Sequence, residues 1–208
     1  MDIIQQQIMD NFDSIVDSHE RIGILISGGI DSGLALHLLL SSIEKTGRDK
    51  TVHACTVTKT PDAVENATRV IELISKKFDI VVTHHIVDSE YESTEHMKHT
   101  TSAFAWLIKN NVVDIVISAT NAIVPDRLLK DRENPSRVDN TSKYMIRPFI
   151  EYTKDVTIGL AIQQQLFELL KISHSCIKQT HSRCGTCYWC KEREWGFSKN
   201  NFTDPGTT

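Results

Sequence analysis

Two groups of residues in this sequence are of types, and at spacings, that do chemistry. The first is Ser27-Gly28-Gly29-Ile30-Asp31-Ser32. Its two glycines let a backbone pass close to an anion, and its serine hydroxyls add donors. At the start of a helix the unpartnered N–H groups carry partial positive charge, so the combination suits phosphate. Asp31 is the odd member, because a carboxylate repels phosphate unless Mg²⁺ bridges the two. The Gly-Lys-Ser/Thr ending of a Walker A loop is missing. The bland alternative is a glycine turn with Asp31 and Ser32 as first-turn residues of a helix.

The second group is Cys176-x7-Cys184-x2-Cys187-x2-Cys190, which holds four of the five cysteines. In a cytosolic chain such a density reads as metal binding rather than disulfides. Cys184 and Cys187 form a turn that points both thiolates at one ion, Cys190 adds a third, and Cys176 closes a tetrahedral shell. A closed shell has no open position for substrate, which argues for structural Zn²⁺. The rival is an iron–sulfur cluster, since Cys-x2-Cys-x2-Cys is also ferredoxin spacing. A ferredoxin run continues with x3-Cys-Pro, whereas Lys191-Glu192-Arg193-Glu194 follow here.

The elements that must position these groups come from periodicity. Ile22 to Ile26 is a short apolar run and Leu34 to Leu40 a long one, so residues 27–32 form a strand-to-helix turn. Before them, Ile4, Ile8, Phe12 and Ile15 lie at helical spacing and predict an amphipathic cover for the sheet. Gly47 stops the Leu-rich helix. Thr51 to Thr58 is a second strand, with Cys55 inside it as a small buried hydrophobe. Thr60-Pro61-Asp62 starts a helix whose stripe is Val64, Ala67, Ile71, Ile74 and Phe78, and Ile80 to Val87 is a third strand. His84 and His85 are adjacent there, so they face opposite ways. A helix over 94–110 buries Met97, Thr101, Phe104 and Ile108, and Asp114 to Ala119 is a fourth strand.

Strands alternating with helices predict an α/β fold: a doubly wound, mainly parallel sheet with helices on both faces. Ligands then sit beyond the C-terminal strand ends, here Ser27, Thr58, Val87 and Thr120. Thr120-Asn121, with Asp126 beyond, therefore meets the same ligand as the glycine turn, unless Asn121 and Asp126 only shape an Asx turn. Residues 127–143 read as a polar lid, and 154–170 as one helix capped by Thr153. The sequence divides into a main domain over 1–170, a zinc-binding segment over 171–197 and a disordered tail over 198–208.

Net charge is −4, so nonspecific binding to nucleic acid is not expected. No apolar run is long enough to span a membrane and no signal pattern opens the chain; the default compartment is cytoplasmic.

Ser27 through Ser32 resembles the pyrophosphatase loop (PP-loop) of the N-type ATP pyrophosphatases, with the adenine nucleotide alpha hydrolase-like fold. That resemblance implies ATP and Mg²⁺ as cofactors, held by Ser27, Gly28, Gly29, Ile30, Asp31, Ser32, Thr120 and Asn121, and transfer of AMP rather than phosphate. Joined to the four-cysteine run, the loop is similar to that of 7-cyano-7-deazaguanine synthase, a family of queuosine biosynthesis with a zinc knuckle near its end. Ile146-Arg147-Pro148-Phe149 followed by Lys154 matches that family, as does Ser175-Cys176. The resemblance implies that Lys154 reaches ATP phosphates and shares catalysis with Asp31. It also implies a deazapurine-like small-molecule substrate, ammonia as co-substrate, and an assembly that can be a homodimer. Two departures stand out: Thr58-Lys59-Thr60-Pro61 replaces the family's aromatic-Asp-Tyr-Gly-Gln stretch, and its Gly-Arg-Asn has no match around His96 to Thr101.

Two other functions fit the same residues. A sulfur-transferring enzyme acting on tRNA would need a free persulfide-carrying cysteine, and only Cys55 lies outside the cluster. A nonenzymatic nucleotide-binding module would use Tyr188 and Trp189, exposed between metal ligands, to meet a partner.

Overall fold

Ile22-Gly23-Ile24 is buried on both sides, so β1 (Arg21–Leu25) is the middle strand of the sheet. The computed structural model describes residues 3–58, 62–88, 96–124, 142–178 and 182–206. β1 runs parallel to β2 (Thr51–Val57) on one side and to β4 (Ile115–Ile117) on the other. Ile24 stands level with Ala54 and with Ile117. β3 (Val82–Val87) adds outside β2, and β5 (Met145–Ile146) outside β4, giving the order β3-β2-β1-β4-β5. The chain builds outward from β1 to β3, then returns to start again at β4. That reversal is a switch point at the C-terminal ends of β1 and β4, the place where open α/β sheets bind ligands.

Helices cover both faces. On one, α1 (Ile3–Ser18), α2 (Ile30–Thr46) and α3 (Ala63–Phe78) share a core with Ile22, Ile24, Val52, Ala54 and Ile117. On the other, α4 (His96–Lys109) seats Ala103 and Leu107 against Cys55, Val57 and Val116. The buried seam of α4 is therefore turned from the Thr101–Phe104–Ile108 stripe read from spacing: Thr101 is exposed because Ala103 and Leu107 take the sheet. Ile4 is exposed too, and α1 buries Ile8, Phe12, Ile15 and Val16. Gly47 ends α2 in the left-handed conformation at φ 62°.

The single helix expected over 154–170 is two. α5 (Lys154–Gln163) stops at a turn in which Gln165 takes φ 55°, and α6 (Phe167–Ile172) follows. α7 (Tyr188–Lys199) then packs on α5. Residues 200–206, within the 198–208 segment read from sequence as a disordered tail, are tied down through Asp204. Arg193, fully buried on α7, gives Nε to Asp204 Oδ2 at 2.7 Å and Nη2 to Oδ1 at 2.8 Å. Its remaining donors go to Ser173 O at 3.0 Å, Ser173 Oγ at 2.9 Å and Leu170 O at 2.5 Å, and Arg183 also pairs with Asp204. A buried guanidinium with five satisfied donors explains the order of a polar, proline-containing end. No described helix is long and apolar enough to cross a membrane.

Candidate active site

Residues 26–32 leave β1 and turn into α2 at the switch point. Gly28 sits at φ 79°, and a Cβ there would lie 2.6 Å from Asn66 Cβ on α3, so only glycine fits. Gly29 is the N-cap of α2 and offers no side-chain acceptor, which leaves first-turn N–H groups of a 17-residue helix open toward an anion. The two serines brace the turn. Ser32 Oγ donates to Gly29 O at 3.1 Å and accepts from Ser27 N–H at 3.3 Å, and the two hydroxyls lie 3.3 Å apart.

Asp31, in the first turn of α2, is the centre of a polar network. Its Oδ2 takes the ammonium of Lys154, which is 5% exposed at the first position of α5. Its Oδ1 accepts from Thr157 Oγ1 at 2.8 Å and from Asn121 Nδ2 at 3.1 Å. Asn121, beyond β4, also donates to Thr157 Oγ1 at 3.1 Å. Three elements thus converge on one carboxylate across the switch point. Mg²⁺ asks for one or two carboxylates and fills its remaining positions with phosphate oxygens and water, so Asp31 beside an uncapped helix start fits that ion.

Asp31, Lys154 and Asn121, all read from the sequence, come together here. Thr120, three residues beyond β4, has its Oγ1 3.0 Å from Ser118 Oγ. Thr157 was missed, because a threonine inside a helix carries no signal of its own; its place three residues after Lys154 on one face was the available clue. Asp126, residues 127–141 of the expected lid and Lys59 to Pro61 lie outside the described residues. His84 and His85 do face opposite ways. His85 meets His53 at 3.0 Å and packs on Trp106, while His84 meets Thr56 Oγ1 at 2.9 Å.

The four cysteines form the second centre. Sγ atoms of Cys176, Cys184, Cys187 and Cys190 all lie within 4.8 Å of one another, a donor set that fits a metal. Backbone N–H groups point at the sulfurs: Cys187 N–H to Cys184 at 3.2 Å, Lys178 N–H to Cys176 at 3.4 Å. Thr186, whose Oγ1 lies 3.4 Å away, and then the backbone N–H groups of Thr186 and Cys187 pull the Cys184 thiol down to about 5, toward the thiolate a metal needs. Tyr188, expected to be exposed, is buried edge-on against Trp189 with its hydroxyl on Glu192 Oε1 at 3.0 Å.

The two centres touch. His174 N–H donates to Gly28 O at 3.0 Å, two residues before Cys176. On α7, Gly196 packs onto Lys154: a Cβ there would sit 3.1 Å from Lys154 Cγ and 2.7 Å from Ile158 Cδ1.

Among solved structures the chain is similar to NAD⁺ synthetase from Burkholderia pseudomallei, with TM-score 0.51 and 14% identity over 94% of this chain and 83% of that one. It is similar also to NMN synthetase from Francisella tularensis, with TM-score 0.51 and 15% identity over 96% of this chain and 86% of that one. A U34-tRNA thiolase from Methanococcus maripaludis, solved with its 4Fe–4S cluster, matches at TM-score 0.47 and 15% identity over 94% and 74%. The first two share this α/β fold, the parallel sheet with helices on both faces that the sequence led us to expect. No protein-family model matches the sequence, and no curated protein matches it.

Proposed function

We propose that this protein is a PP-loop enzyme that binds Mg·ATP on residues 27–32, transfers AMP to an oxygen of a small-molecule acid, and lets ammonia displace the AMP. The observation that carries this is the carboxylate of Asp31, set in the first turn of an uncapped helix and held from α5 and from the end of β4. A phosphate site alone has no use for a fixed acid; a phosphate–cation site does.

The chemistry follows. A substrate carboxylate oxygen attacks the α-phosphorus, the bond to the β-phosphate oxygen breaks, and pyrophosphate leaves. Ammonia then attacks the acyl carbon and AMP departs with the former substrate oxygen, so no covalent enzyme intermediate is required. The first-turn N–H groups of α2 orient the departing pyrophosphate, and Lys154 supplies positive charge beside the α-phosphate. Asp31 would hold Mg²⁺, which would offset charge on the phosphates. The resemblance names 7-carboxy-7-deazaguanine as the acid and the nitrile as product. An acid carries two oxygens and a nitrile none, so the route consumes two ATP: one adenylates the acid and a second adenylates the amide oxygen.

Zn²⁺ is the metal we assign to the cysteines. One ion about 2.3 Å from each sulfur places tetrahedral sulfurs about 3.8 Å apart. The mutual distances within 4.8 Å support that spacing, whereas a four-iron cluster takes each thiolate on a different iron and spreads them further. Sulfur transfer through Cys55 is disfavoured: burial pushes its thiol up to about 12, the reverse of what a persulfide carrier needs. Burial of Tyr188 removes half of the aromatic surface that a binding module would present.

The test is to supply the full chain with ATP, Mg²⁺, ammonium and 7-carboxy-7-deazaguanine and follow the nitrile by mass spectrometry. AMP release with another acid and none with the deazapurine would replace the substrate. No AMP with any acid would contradict the reading.

A further inference from the structure

We infer that Thr157 and Asn121 are positioning residues that turn Asp31 into a one-oxygen ligand for the divalent cation. This rests on the reading of residues 27–32 as a Mg·ATP site. The ionised carboxylate of Asp31 accepts only, so the amide of Asn121 must present its nitrogen to it. The single hydroxyl hydrogen of Thr157 then goes to Asp31 Oδ1, 2.8 Å away, rather than to Lys154 O at 3.1 Å. The second Asn121 N–H fills the Thr157 oxygen at 3.1 Å. A carboxylate oxygen has about two acceptor directions, and Thr157 and Asn121 occupy both on Oδ1. Among the described residues Oδ2 carries Lys154 alone and keeps one direction free. The cation therefore meets Oδ2 and not a bidentate carboxylate, and Lys154 and the ion flank the same oxygen.

The arrangement is costly for the fold, which argues that stability is not its purpose. Thr157 is fully buried and Asn121 is 6% exposed, yet Asn121 Oδ1 has no hydrogen-bond partner among the described residues. An unpartnered buried carbonyl is a net loss that an apolar side chain would avoid. Asn121 accepts that loss while its nitrogen holds Asp31 and Thr157. Local rules broken in this way are characteristic of functional sites. Helix geometry makes α5 a two-point clamp, because Lys154 and Thr157 share a face three residues apart and reach the two oxygens of one carboxylate.

The test uses Mn²⁺ as probe on the full chain, with α,β-methylene-ATP, reading free Mn²⁺ by electron paramagnetic resonance. Wild-type protein should show a nucleotide-dependent Mn²⁺ site. Thr157→Val, which removes only a hydroxyl, should weaken it about tenfold, as expected for a lost hydrogen bond to a charged group. Asn121→Ala should do the same, and Thr157→Ser should restore affinity to within about threefold of wild type. Circular dichroism establishes that each variant is folded. A folded Thr157→Val and Asn121→Ala pair with wild-type Mn²⁺ affinity overturns the clamp and leaves the site reading standing. No nucleotide-dependent Mn²⁺ site in the wild-type protein overturns both.

Discussion

The backbone N–H of His174 donates to the carbonyl of Gly28 at 3.0 Å, so the strand of chain entering the cysteine cluster is bonded to the loop proposed to hold ATP. Arg193 anchors the same strand at Ser173, from a helix whose first turn carries Cys190. The cysteine cluster and the loop are therefore linked through a few bonds.

Removing the metal by chelation, or Cys187→Ser, should lower Tm, since a structural zinc contributes on the order of 10 kcal/mol to folding. Amide exchange at residues 27–32 should accelerate before the distant α1. Equal protection of the loop in a folded metal-free protein would contradict the link. A brown, iron-containing preparation from anaerobic purification would contradict zinc.

Arg193→Ala should destabilise by about 3–5 kcal/mol, the usual loss when one partner of a buried ion pair is removed. Asp204 would be left with Arg183, and the carbonyls of Leu170 and Ser173 would lose their donor. Chemical denaturation measures it. A loss under about 1 kcal/mol would show that the segment after α7 is not held by this residue.

Much of the site was legible because glycine, aspartate and cysteine spacings carry their chemistry in one dimension. The loop at 27–32 stood out that way, whereas Lys154 was named through the family resemblance and Asn121 through its place at the end of a strand. Thr157 was not found, since its meaning comes only from facing Asp31 across the switch point. The order of residues 200–206 was hidden for a similar reason: Asp204 and Gly206 read as a soluble end until Arg193 and Arg183 are seen to reach them. The break between α5 and α6 has no glycine or proline to announce it, and Gln165 takes the left-handed conformation instead. The first four strands and the two covered faces followed from periodicity, whereas the strand order and the exact seam of α4 did not: periodicity says nothing of which strands are neighbours, and Ala103 offers a weak apolar signal.

Stability should fall on mild acidification. His37, packed on Phe78 within the α2–α3 interface, has its pKa pushed down to about 4, first by burial and then by Lys77. The unfolded chain takes up that proton near pH 6.5 and the folded one does not. The stabilisation is thus whole above about pH 6.5 and is lost as pH falls toward 4. His53, His84 and His85, also lowered by burial, act with the same sign. Tm measured from pH 7.5 to 5 should decrease, less steeply in His37→Leu. An identical slope in that variant would remove His37 from the account.

Gly28→Ala should abolish nucleotide binding while the sheet persists. The new Cβ would meet Asn66 Cβ at 2.6 Å and its carbonyl carbon at 2.8 Å, at a φ of 79°. The strain, about 1–3 kcal/mol, falls on the loop rather than on the core. Calorimetric titration with ATP and Mg²⁺, beside a thermal melt, separates the two effects. Unchanged affinity would place the phosphates elsewhere.

The central claim is that ATP is cut between its α- and β-phosphates. With α-³²P-ATP, Mg²⁺, ammonium and the deazapurine acid, label should appear in AMP with an equal amount of pyrophosphate, and Asp31→Ala should form neither. Label in ADP, with orthophosphate as the other product, would contradict it.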